Sequence, residues 1–120
     1  MNVLASTTMA MMAIFTLPSM ANAETLNSQQ VKALMVGTTV SWVTLDGETR
    51  GYSQYRPNGT SAVTFTAPNE FKDKGTWRIV GNQFCSTWKV VRDGQEGCSK
   101  VRTTTKEGVY RMDTVFIRSQ

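Results

Sequence analysis

Cys85 and Cys98 are the chain's only two cysteines, and the stretch GTWRIVGNQFCSTWKVVRDGQEGCSKV places them beside two of the three tryptophans. A thiol pair can hold a metal, exchange disulfides or form a structural bridge. Zinc takes about four ligands, drawn mainly from Cys and His. The chain has no histidine, so no metal site is expected. Redox pairs are set closer, as in Cys-x-x-Cys. In an exported chain two cysteines most often pair as a staple. Two free buried thiols and a redox pair are the readings left beside it.

Without histidine, the Ser-His-Asp and Cys-His mechanisms and the common zinc hydrolases are excluded. Carboxylate or Lys chemistry remains. Asp46, Glu48, Asp73, Asp93, Glu96 and Glu107 all stand at or beside expected turns, where acidic side chains serve the backbone or face water. Nothing in the sequence singles out two of them as a glycosidase-like pair across a cleft. P-loop, dinucleotide and calcium-loop spacings are absent. No cofactor and no enzymatic activity are expected. Asn58-Gly59-Thr60 matches a glycosylation tripeptide, but reads first as a hairpin turn. That leaves Trp42, Trp77 and Trp88, one in each of three expected strands, as core side chains or as the wall of a site for an apolar or sugar ligand. TWRIV and TWKVV interleave bases with aromatics, a pattern that suits single-stranded nucleic acid. An exported protein seldom meets that polymer, so no nucleic-acid partner is expected.

Export is read from the first residues, MNVLASTTMAMMAIFTLPSMANAETL. The apolar stretch 9–17 falls short of the ~20 residues that span a bilayer. Pro18 breaks it, and Ala21-Asn22-Ala23 gives a small-x-small cleavage pattern. No Lys or Arg precedes it, so the α-amino group alone supplies positive charge there. A signal peptide over 1–23 leaves one domain, 24–120, in the periplasm or medium. It carries the whole formal charge of +4, dispersed along the chain. Such mild basicity favours anionic surfaces without naming a partner. No apolar run remains for stable membrane insertion. A chain this small has a thin core, which gives a covalent bridge more weight.

The elements that must position these residues follow from period and punctuation. Asn27 and Gln30 have capping-box spacing, and Val31, Leu34 and Met35 share one helical face ended by Gly37. This helix is too short to stand alone and needs a larger surface. Strands are expected over 39–45, 48–56, 60–66, 76–80, 83–90, 98–105 and 109–117, with 68–75 as a polar connection. Asp46-Gly47, Asn58-Gly59, Gly81-Asn82, Asp93-Gly94 and Lys106-Glu107-Gly108 mark the turns. The fold class is thus α+β, mainly β: one short N-terminal helix packed on a meandering antiparallel sheet of about seven strands, curling toward a partly closed barrel. Alternation turns Val63, Phe65, Trp77, Ile79, Phe84, Trp88, Val90, Val101, Tyr110, Met112 and Phe116 inward. In the first strand Val40 and Trp42 share one face. Val43 and Leu45 take the other, which suggests cover on both sides, one by the helix.

Register tests the bridge. A two-residue turn at Asp93-Gly94 would set Cys85 opposite Arg102, too far for a disulfide. Setting Cys85 opposite Cys98 puts Trp88 opposite Gln95 and makes 89–94 the loop. The bridge then lies with Thr87, Lys89, Lys100 and Arg102, away from the aromatic face.

The pattern GTWRIVGNQFCSTW…EGCSKV, with the later GVYRM and the upstream GTTV and YRPNGT, resembles the exported bacterial family of unknown function numbered 995 over most of 26–112. That resemblance implies a small β-rich periplasmic domain and no catalytic residues. More faintly, the chain resembles small barrel inhibitors of secreted bacterial proteases, which carry Gly-x-Trp and one disulfide. Those use a longer N-terminal arm than 24–27 and bridge elsewhere. The expected function is therefore non-enzymatic: binding a small ligand or a protein at the cell envelope. Inhibition of a secreted or periplasmic hydrolase through an exposed loop at 67–74 is the alternative.

Overall fold

A computed structural model describes residues 23–120. The export segment expected over 1–23 lies outside the described residues except for Ala23. Helix α1 spans Ser28–Met35 and starts as its capping box requires: the Asn27 side chain accepts from the Gln30 N–H, and the Gln30 side chain accepts from the Asn27 N–H, each at 2.9 Å. It buries Val31 and Met35. The chain leaves it through Val36, in extended conformation, and Gly37, whose N–H donates to the Tyr55 carbonyl at 2.8 Å.

Strands β1 (Thr39–Thr44), β2 (Arg50–Tyr55), β3 (Thr60–Ala67), β4 (Phe71–Val80), β5 (Gln83–Trp88), β6 (Gly97–Thr103), β7 (Tyr110–Met112) and β8 (Val115–Ser119) follow. A 3-10 turn at Val91–Gly94 lies between β5 and β6. Each strand pairs antiparallel with the next, and β1 also pairs with β8, so the sheet closes into a barrel. Closure leaves no free sheet edge along most of the wall. The helix packs on β4 and β5, and the Ser28 N–H donates to Asn82 Oδ1 in the β4–β5 turn at 2.9 Å. Because β1 runs away from α1, the turns at 45–49, 68–70, 89–96 and 113–114 lie at the opposite end.

Four expectations need correction. The expected polar connection 68–75 is mostly strand: β4 begins at Phe71. Lys72 and Lys74 face water there, while Asp73 between them is buried, so polarity alone imitated a loop. The expected last strand is two strands around a turn at Asp113-Thr114, where Asp113 takes φ 55°. This turn resets the alternation. Ile117 is buried, and Phe116 pairs with Val43 on the outer face. Helix packing lies on β4 and β5, so the outer face of β1 is not where α1 docks. Val90, finally, falls beyond β5 and is exposed.

The rest of the inward set stands. Val40, Tyr55, Val63, Phe84, Trp88, Val101 and Ile117 form the buried core with Leu26, Val31 and Met35. Gly75 is required by close approach: a Cβ there would collide with the Thr87 carbonyl oxygen across the β4–β5 pair.

Candidate ligand cavity

The barrel interior is not filled. A cavity of about 310 Å³ runs from Met35 of α1 to Thr44, Thr49, Arg92 and Thr114 at the far end. Its walls are mainly apolar, with Val40, Trp42, Tyr55, Phe65, Phe84 and Trp88 among the lining residues. Alternation makes this possible: β1, β2, β3 and β5 each send every second side chain inward. Trp42 meets Phe65 edge to face at 5.0 Å, and Tyr55 meets Phe84 the same way at 4.7 Å. These contacts fix the rings around the space instead of across it.

Polar groups in the cavity are few and placed. Trp42 Nε1 donates to Ser53 Oγ at 3.2 Å. Tyr55 is buried, which raises its phenol above the ordinary value; a hydrogen bond with Ser53 and the charge of Arg92 act in the lowering direction. Ser86 and Ser99 also line the space. Among the described residues, Arg92 and Asp113 are the only charged ones in the lining. One carboxylate does not make the pair that glycosidic chemistry needs.

The mouth follows from strand lengths. β7 is only three residues long and pairs with Val101, Arg102 and Thr103. Residues 97–100 of β6 therefore have strand partners only on the β5 side. Gly97 and Ser99 of β6 and Asp113 and Thr114 of the β7–β8 turn border this break and line the cavity.

Of the three tryptophans, Trp42 and Trp88 line the cavity and Trp77 does not. Trp77 stacks on Phe84 at 5.7 Å and donates through Nε1 to the Arg56 carbonyl at 2.7 Å, fastening the β2–β3 turn. Cys85 and Cys98 form a disulfide with Cα atoms 4.0 Å apart, in the register expected. It sits on the outer face; Cys85 is fully buried and Cys98 exposed. Arg78, opposite Cys85, reaches Glu96 through two bonds of 2.7 and 2.8 Å. The Arg78 bond holds the Glu96 carboxyl below its ordinary pKa, and Glu96 in turn raises Arg78. Glu96 also lies near both sulfurs, but a disulfide offers no thiolate to a metal.

Sequence reasoning missed Arg92, Tyr55, Ser53 and Asp73. Asp73 accepts N–H groups from Lys74, Val90 and Val91, each at 2.9 Å. Burial would raise its pKa, but the N–H groups of Val91, Val90, Lys74 and Lys89 outweigh that and lower it. The alternation Lys72-Asp73-Lys74 was the available signal. For Arg92 no sequence signal exists, since only the fold of its loop turns it toward the mouth.

The chain matches no family model, no curated protein and no solved structure.

Proposed function

We propose that this chain is a non-enzymatic binding protein of the cell envelope that holds a small, mainly apolar molecule inside its barrel. The observation that carries this reading is the aromatic-walled cavity of about 310 Å³ with its break in the wall beside β7. Ligand sites are typically concave, apolar and furnished with a few directed polar groups, at about 300–1,000 Å³. This cavity lies at the small end of that range. Placement outside the cytoplasm is supported by the leader-like N-terminus and by the disulfide, since such bonds persist in oxidising compartments. Hydrolase inhibition has weaker support, because β4 leaves only the turn 68–70 from the loop that reading would use.

The test is a fluorescence titration with 2-naphthol, which is uncharged at neutral pH. Wild-type protein should bind it saturably at one site. Ser99→Leu fills the mouth and should weaken binding by about tenfold or more, ~1.4 kcal/mol. No saturable binding, or binding indifferent to Ser99→Leu, would reject the cavity as the site.

A further inference from the structure

We propose that Arg92 anchors the head group of the ligand, so that the cavity takes molecules with an apolar body and a carboxylate end; this rests on the cavity being the binding site. Arg92 is aimed by unusual local structure. It takes φ 57° and ψ 29°, and Asp93 follows at φ 55°, both in the left-handed region that non-glycine residues rarely enter. The segment just before it is clamped, because Asp73 accepts the N–H groups of Val90 and Val91 at 2.9 Å each. Nη2 then donates to the carbonyl and hydroxyl oxygens of Ser86 at 2.7 and 3.0 Å, and Ser86 lines the cavity. Space for the guanidinium comes from Gly97, where a Cβ would stand 2.7 Å from Nε. Backbone strain at a site of this kind marks a place to look for function.

Arg92 also keeps its charge available. Among the described residues the one ion pair is Arg78–Glu96, so neighbouring Glu96 is engaged elsewhere. Nε and Nη1 of Arg92 make no hydrogen bond to described residues, while Nη2 holds the group in place. Its positive charge reaches the interior, acting on the Tyr55 phenol. Arg92 is exposed at the mouth, so a bound carboxylate stays partly hydrated and escapes the penalty of a fully buried ion pair. Asp113 is the opposing charge in the lining. Its left-handed φ serves the β7–β8 turn, and its carboxylate is not fastened by any described residue. Arg92, by contrast, is fixed on Ser86.

Size sets the body of the ligand. A cavity of about 150 Å³ holds benzene, so this one takes on the order of a dozen non-hydrogen atoms. Decanoate, 1-decanol and decylamine share an apolar chain of suitable length and differ only at the head. Calorimetric titration of all three into the mature protein is the test. Decanoate should bind about tenfold more tightly than decanol, as a charge-assisted bond implies. Arg92→Met should remove that preference, whereas Arg92→Lys should retain part of it. Equal affinities for decanoate and decanol, a preference that survives Arg92→Met, or a preference for decylamine would overturn the anchor while leaving the cavity reading intact. Failure of all three to bind would overturn both.

Discussion

Asp73 is the one acidic residue inside any described strand, and it faces inward. Two of its three N–H donors, Val90 and Val91, tie β4 to the start of the β5–β6 loop and so hold the base of the segment that carries Arg92. Asp73→Ala should destabilise the fold by about 1–3 kcal/mol, the range for leaving such groups unpaired, as read by urea unfolding. The pH dependence has a definite sign. The folded pKa lies below the unfolded value, so the carboxylate's contribution is complete above the unfolded value of about 3.9 and disappears as pH falls through the lower folded one. Wild-type stability should fall on that acid limb, and Asp73→Asn should flatten it. Little of this was legible beforehand. A carboxylate between two lysines reads as a solvated turn, because two of the donors it meets, the N–H groups of Val90 and Val91, come from residues far along the chain. The tryptophans were legible as a class, but which of them border a space depends on closure of the barrel.

Among the elements, the β5–β6 pair was the most legible, because a covalent requirement fixes its register. Only one alignment brings Cys85 opposite Cys98, and the barrel adopts it. Replacing both cysteines by alanine should lower stability by about 3 kcal/mol in the chain-entropy picture, measured by chemical denaturation of the double variant against the oxidised parent. No loss would mean that the closed sheet holds β5 and β6 together unaided. Helix α1 was equally legible, since Asn27 and Gln30 cap each other within one turn. The last hairpin was not. Met112-Asp113-Thr114-Val115 lacks a glycine, and Asp113 enters the left-handed region without one. Asp tolerates that region better than most residues. Missing this turn placed Phe116 on the wrong face and hid the break in the wall, which exists only because β7 is so short.

At the scale of the whole molecule, charge is sorted by position. Outward strand positions carry Lys and Arg, from Arg50 on β2 to Arg118 on β8, and no acidic residue. The acids other than Asp73 lie in turns and at the chain's start. This arrangement gives the +4 net charge a basic wall and a more acidic set of turns at the end opposite α1. Strand count and barrel closure could be approached from the sequence, because turn residues recur at short intervals. The cavity could not, since alternation says which side chains point inward but not whether they meet. The three indoles give the most direct test of that cavity. In a ¹H–¹⁵N spectrum of the protein titrated with 2-naphthol, the Trp42 and Trp88 side-chain N–H signals should shift together with a single saturating isotherm. Trp77, fastened to Arg56 outside the cavity, should stay in place. A shift of Trp77 with the other two unmoved, or no shift in any of them at saturating probe, would contradict a ligand site inside the barrel.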